Sequence, residues 1–123
     1  MHSKTIPWVG ILLLLIGVGH NTMIASIWIA TDLAPSVALF WSAAFGVVVL
    51  VCGVTALELE RARGFIPLSA LIALAVLLLF GLAVMPLSGF LTLIAPLTVG
   101  VVTWFRRRRS TAPARVPEAA HAE

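Results

Sequence analysis

The fold is decided by residues 6–30, which read IPWVGILLLLIGVGHNTMIASIWIA and contain no Asp, Glu, Lys or Arg. A helix needs about 20 mostly apolar residues to cross the hydrocarbon core of a bilayer, and this run is longer than that. Three more apolar runs follow at residues 37–57, 66–84 and 90–105. The sequence therefore predicts four membrane-spanning helices.

The composition supports a membrane protein and excludes two other classes. Of the 123 residues, 61% are apolar and 11% are charged, and the mean hydropathy is +1.11. So short a chain has too little interior to bury this much apolar surface in water, which excludes an ordinary soluble globule. The same apolar content excludes a disordered chain. None of the four runs alternates as a spanning β-strand does, so helices are needed to satisfy the backbone hydrogen bonds in lipid.

We therefore predict an all-α, four-helix transmembrane bundle in residues 1–109. The segment 110–123 is rich in Ala, Pro and charge, and it is predicted to be a disordered cytoplasmic tail. Thr5 is the predicted N-cap of the first helix and Ser36 that of the second, because a side-chain oxygen at this position accepts a free backbone N–H. Residues 58–64 are predicted to close the second span.

The basic residues predict the orientation of the bundle. With four spans, all eight basic residues fall on one side of the membrane and none on the other. Because positive residues are retained in the cytoplasm, both termini are predicted to be cytoplasmic, in the inner membrane of a bacterium. Basic clusters at the ends of apolar runs indicate contact with the lipid bilayer and not with nucleic acid. The predicted lipid and topology anchors are Lys4, Arg61, Arg63, Arg106, Arg107, Arg108 and Arg109.

Small residues recur along one stripe of each predicted helix. Helices in lipid associate by close packing, so such stripes indicate helix–helix seams, either within the bundle or with a second copy or another membrane protein. Pro96 is also expected to free the carbonyl of Thr92 and to kink the fourth helix. The residues assigned to helix packing are Gly10, Gly17, Ser42, Gly46, Gly53, Gly81, Pro96 and Gly100.

The motif GHNT at residues 19–22 places an ionisable side chain inside the first apolar run. Such side chains are rare within a membrane and suggest function. His20 has three interpretations: a neutral ring that is hydrogen-bonded to Ser42, Ser88 or a backbone carbonyl, a ligand or proton site that faces an external pocket, or a metal or haem ligand. The candidate pocket on the outer side comprises His20, Asn21, Trp41 and Ser88.

Other patterns that carry chemistry are missing from the sequence. No predicted span contains a carboxylate, which a small proton-coupled exchanger would be expected to use. Nothing resembles a nucleophile with its base, a metal-ligand cluster or a phosphate-binding loop. Cys52 is the only cysteine and is interpreted as an apolar packing residue. We expect no catalytic residue, no cofactor and no metal.

The pattern resembles small four-helix bacterial membrane proteins that are loosely similar to the DoxX-like group, and more closely an uncharacterised family of that size. The resemblance covers about residues 6–105. It implies the four-helix fold and no assigned activity. The residues that carry it are Trp8, His20, Phe40, Trp41, Gly46 and Pro67, together with the hairpin MPLSGF at residues 85–90.

Three function classes follow from these observations. The first is a non-enzymatic accessory or structural membrane protein that acts through helix association, as the small-residue seams indicate. The alternative is a small transporter or ligand-binding protein with an external pocket around His20. The second alternative is a membrane redox protein with His20 as a haem ligand. Haem between membrane helices usually needs a second axial ligand, and only a dimer with two copies of His20 could supply it.

Overall fold

The computed structural model describes residues 6–31, 36–85 and 89–110, and the elements in these ranges are helical. The elements are α1 (Trp8–Thr31), α2 (Val37–Arg63), α3 (Leu68–Val84), a 3₁₀ segment (Gly89–Leu93) and α4 (Ile94–Ser110). The prediction of an all-α chain with four α-helices is confirmed. The predicted cap Thr5, the anchor Lys4, the pocket residue Ser88 and the tail beyond Ser110 lie outside the described residues.

Three helical stretches are long and apolar enough to cross a membrane. They are Trp8–Thr31 with 24 residues, Val37–Arg63 with 27 and Gly89–Ser110 with 22. Helix α3 is also apolar but has 17 residues. At about 1.5 Å per residue it extends for about 26 Å, slightly less than the hydrocarbon core of about 30 Å.

The ends of α2 are set by local signals. Ser36 Oγ accepts a hydrogen bond from the Leu39 backbone N–H at 3.2 Å, which confirms the predicted N-cap. At the other end, α2 continues through residues 58–63 and stops at Gly64, whose φ of 74° is left-handed. The charged residues after the apolar run are therefore the last turns of α2, because a left-handed glycine, and not the loss of hydrophobicity, ends the helix.

A change of helix type lies just upstream of Pro96, where a kink is predicted. The chain forms a 3₁₀ segment over Gly89–Leu93 and changes to an α-helix at Ile94. Pro96 then lies in the first turn of α4, where a missing backbone N–H leaves no intrahelical bond unmade. The proline side chain is fully buried.

Helix α1 lies at the centre of the packing. It runs along α2 for most of its length, and another side of it contacts α4. Helix α3 packs on α4 and on the 3₁₀ segment. The order across the bundle is therefore α2, α1, α4, α3. Helices α2 and α3 are consecutive in sequence but barely touch, and a groove separates them.

The core is apolar, and so is the outer surface. The buried apolar residues are Val9, Leu13, Val49, Ala56, Ile66, Leu71, Leu74, Leu78 and Leu93. Large apolar side chains also point away from the bundle, as in Leu15, Ile29, Val51 and Leu79, and Ile29 is 83% exposed. An apolar exterior of this extent is typical of helices surrounded by lipid and not by water.

Candidate functional site

The ring of His20 joins α1 to α2. Its Nε2 lies 3.0 Å from the backbone oxygen of Ser42. Because a carbonyl oxygen only accepts, Nε2 donates in this bond, which makes Nδ1 the acceptor of the neutral ring. The edge of the ring packs against Phe45, with the ring centres 5.2 Å apart and the planes at 84°. This arrangement matches the interpretation of His20 as an interhelical hydrogen-bonding residue.

The start of the 3₁₀ segment closes over the same place. A Cβ built on Gly89 would lie 3.2 Å from His20 Nδ1, so the glycine allows the backbone to approach the ring closely. Phe90 packs against Phe45 with the ring centres 4.2 Å apart and the planes tilted by 49°. Three segments therefore meet at His20, and two of the groups around it are aromatic. The surroundings are suited to packing as well as to hydrogen bonding.

Asn21 contacts α2 one residue further along α1. A Cβ on Gly46 would overlap the side-chain amide of Asn21, so the amide occupies the space that the glycine leaves. Asn21 and Gly46 are thus brought together across the α1–α2 interface. Polar side chains in such interfaces contribute to helix association in membranes.

Of the other two residues of the predicted pocket, the structure describes Trp41 alone. The Trp41 side chain is 66% exposed and contacts Phe40 edge to face, with the ring centres 5.5 Å apart. Ser88 lies outside the described residues. Of the four predicted residues, the structure places His20 and Asn21 in the α1–α2 interface and turns Trp41 outward.

Glu60 is a buried polar residue that the sequence does not single out as a site residue. Its side chain is buried, and its carboxylate accepts hydrogen bonds from the backbone N–H groups of Gly10 at 2.8 Å and Val9 at 3.3 Å. These N–H groups belong to the first turn of α1, where no intrahelical acceptor exists and the helix dipole is positive. Glu60 therefore caps α1 from a distance of 51 residues.

One sequence signal points to Glu60. The buried residues of α2 are Gly46, Val49, Gly53, Ala56 and Glu60, which recur at the three- and four-residue spacing of one helix face. The small-residue stripe that predicts the seam therefore reaches Glu60 when it is continued. The apolar run ends before Glu60, so hydropathy alone does not place this carboxylate in the seam.

The glycines assigned to packing lie where the helices approach closely. A Cβ on Gly10 would be 2.5 Å from the backbone nitrogen of Leu57, and one on Gly53 would be 2.9 Å from that of Leu14. Gly17 faces the side chain of Leu50 in the same interface. Gly81 and Gly100 make room for Phe90 and Leu71, respectively, beside α3. The contacts of Gly10, Gly17 and Gly53 hold α1 and α2 together as a tight helical hairpin.

The arginines gather at the end of the bundle that contains Glu60. Arg107 donates to the Arg63 backbone oxygen at 3.0 Å and lies 4.2 Å from the ring centre of Phe65. Arg108 lies 4.0 Å from the ring centre of Trp104. Arg61 pairs with Glu58 at 3.3 Å, and both side chains are largely exposed. The basic side chains of α2 and α4 thus form one positively charged end.

Comparison with known families identifies the chain. The sequence model of DUF6463, a family of unknown function, matches residues 23–108. The chain belongs to the DUF6463 family. In this DUF6463 protein the matched region runs from the second half of α1 to Arg108, so it contains Glu60 but not His20. No curated protein and no solved structure matches the chain.

The family agrees with the expectation of an uncharacterised family, and it assigns no chemistry to the site. Within residues 6–31, 36–85 and 89–110, no group of three or more His, Cys, Asp or Glu side chains could hold a metal ion. What the described residues offer is a set of polar contacts between helices, at His20, Asn21 and Glu60.

Proposed function

We propose that this DUF6463 protein is a non-enzymatic accessory protein of a bacterial inner membrane, in which all four helices span the bilayer. The observation that carries the proposal is that the polar side chains inside the bundle contact neighbouring helices. Glu60 binds the start of α1, His20 binds the Ser42 carbonyl, and Asn21 packs on Gly46. Each of these groups joins two helices, which is the task of a structural residue.

The distribution of apolar side chains supports action through helix association. The bundle exposes large apolar residues on α2 and α3, including Val47, Val54 and Leu79. Within lipid, such faces are free to pack against another helix by shape and small-residue contact. The contacts of His20 favour this structural role over the alternative of a transporter or ligand-binding protein.

The test is the assembly state of the full chain in lipid. We expect copies that carry donor and acceptor fluorophores to show energy transfer in vesicles, rising with protein density, or a defined membrane partner to co-purify in fixed stoichiometry. The matched control is an unrelated four-helix membrane protein at the same density. A strict monomer of 13.1 kDa that co-purifies with no partner would contradict the proposal.

A further inference from the structure

A groove runs between α2 and α3, and we call it the lateral groove. Its volume is about 220 Å³. Helix α2 lines it from Val51 to Leu59, helix α3 lines it from Ala70 to Leu77, and Val9 and Leu13 of α1 form the floor. An apolar cavity of about 150 Å³ already holds a molecule the size of benzene, so this groove can hold a segment of hydrocarbon chain.

The lateral groove opens sideways. Its floor residues Val9 and Leu13 are almost fully buried, whereas Val51 and Ala73 at its rim are exposed. In a bundle that stands in a membrane, this opening faces the acyl chains of the lipid. A hydrocarbon chain can therefore enter from the bilayer without passing through water.

The length and position of the groove match one leaflet. From Val51 to Leu59 the groove extends for about 12 Å along α2. This is less than half of the hydrocarbon core, which is about 30 Å thick. One end of the groove lies at Leu59 and Ile66, which flank the connection between α2 and α3. A chain that enters the groove would thus have its headgroup at that connection.

The groups at this end of the groove are basic. Arg61 and Arg63 lie in the last turn of α2, and Arg107 reaches across to Phe65 and to the Arg63 carbonyl. The acidic neighbour Glu58 is paired with Arg61. Arginine forms charge-assisted hydrogen bonds with phosphate oxygens, so this end suits a negatively charged headgroup.

We propose that the lateral groove is a binding site for one anionic phospholipid, with an acyl chain between α2 and α3 and the headgroup phosphate at Arg63, which lies one helical turn after the groove residue Leu59. A helix of a second copy fits the groove less well. With its side chains a helix is about 10 Å across, so even a short piece of it needs more space than the groove volume of about 220 Å³. The site goes beyond the proposed association, since it is complete within one chain.

Native mass spectrometry of the full chain tests the site. The purified protein is mixed in mild detergent with equal amounts of phosphatidylglycerol and phosphatidylcholine. We expect the monomer to retain one phosphatidylglycerol. Ala73→Phe fills the groove from its exposed rim, and the loss of contact with two methylene groups lowers the retained lipid about tenfold. Thr55→Leu, on the opposite wall, gives the same direction of change.

Two variants serve as controls. Ala83→Phe adds the same side chain at an exposed position of α3 outside the groove and leaves retention unchanged. Arg63→Gln keeps the groove and removes the preference for phosphatidylglycerol over phosphatidylcholine. Circular dichroism checks that the helix content of each variant equals that of the parent.

Three results would overturn the site. The first is that Ala73→Phe and Thr55→Leu, with unchanged helix content, retain as much lipid as the parent. The second is that the parent retains phosphatidylglycerol and phosphatidylcholine in equal amounts. Alternatively, the parent could form a dimer that the Ala73→Phe variant does not form. This result would assign the groove to a second copy, and it would still agree with the proposed association.

Discussion

Glu60 shows how a single charged side chain is accommodated inside an apolar bundle. Its carboxylate receives two backbone N–H groups from α1 and faces the positive end of that helix. His20 acts in a similar way, because its Nε2 bonds to the backbone oxygen of Ser42. Both residues bind backbone groups, so they hold whole helices in register.

Glu60→Ala tests the role of the carboxylate at the residue scale. The substitution leaves the Val9 and Gly10 N–H groups without their acceptor in a buried place, and we expect it to lower the free energy of unfolding by about 1–2 kcal/mol. Unfolding in mixed micelles of mild detergent and dodecyl sulfate, followed by circular dichroism, gives the measurement.

Glu58→Ala is the matched control for Glu60. It removes a carboxylate from the same helix turn, but the Glu58 side chain is 65% exposed and pairs with Arg61 at the surface. Exposed ion pairs contribute about 0–1 kcal/mol, so this variant should unfold nearly as the parent does. If both variants lost the same stability, the cap on α1 would have no special role.

At the scale of elements, α1 and α2 form the tightest unit of the molecule. Gly10 and Gly53 bring the backbones of the two helices closer than a methyl group would allow. In lipid there is no hydrophobic gain from burying apolar side chains between helices, so this close packing and the polar contacts stabilise the pair. Helix α3 lacks such an interface with α2.

Gly10→Ala tests this interface. The added methyl group would overlap the Leu57 backbone, so α1 and α2 must separate locally, and we expect a loss of about 1–3 kcal/mol in the free energy of unfolding. Gly19→Ala is the control on the same helix, because a Cβ at Gly19 meets nothing within 4 Å. It should stabilise the helix by up to about 1 kcal/mol. A loss of unfolding free energy in Gly10→Ala together with a gain in Gly19→Ala, measured in the same assay, supports the close contact at Gly10. Equal changes in the two variants contradict it.

The ends of the elements were predictable where the signal is local. The N-cap at Ser36 depends on one side chain and a backbone N–H three residues away, and it was predicted correctly. The predicted span ends at residue 57, where hydropathy falls, whereas the helix itself continues to Arg63 and stops at the left-handed Gly64. Charged residues continue a helix readily once it leaves the hydrocarbon.

At the scale of the whole molecule, the positive charge lies at one end. Arg61, Arg63 and the arginines of α4 come together there, and α1 starts at the same end through its contact with Glu60. The hairpin of α1 and α2 therefore has one basic end, whereas the sequence of its connection, residues 32–35, contains no Lys or Arg. This asymmetry is the physical basis of the proposed orientation.

Reporter fusions test that orientation. Because positive residues resist translocation, we expect a C-terminal fluorescent protein to fluoresce in the cytoplasm. Alkaline phosphatase inserted between α1 and α2 should be active outside, whereas the same insertion at Gly64 should be inactive. An active phosphatase at the C-terminus or at Gly64 would reverse the orientation or change the number of spans.

The sequence by itself determined the helices and their number, because the length of an apolar run and the need to bond the backbone in lipid are local properties. Only the tertiary structure decided which helices touch. Glu60 meets the start of α1, His20 meets Ser42, and α3 stands apart from α2 beside the lateral groove. Large apolar side chains lie on every side of the helices, so hydrophobicity does not mark the inward face. The stripes of small residues mark a packing face, but they do not say which helix it meets. That choice depends on the fit between residues far apart in the chain.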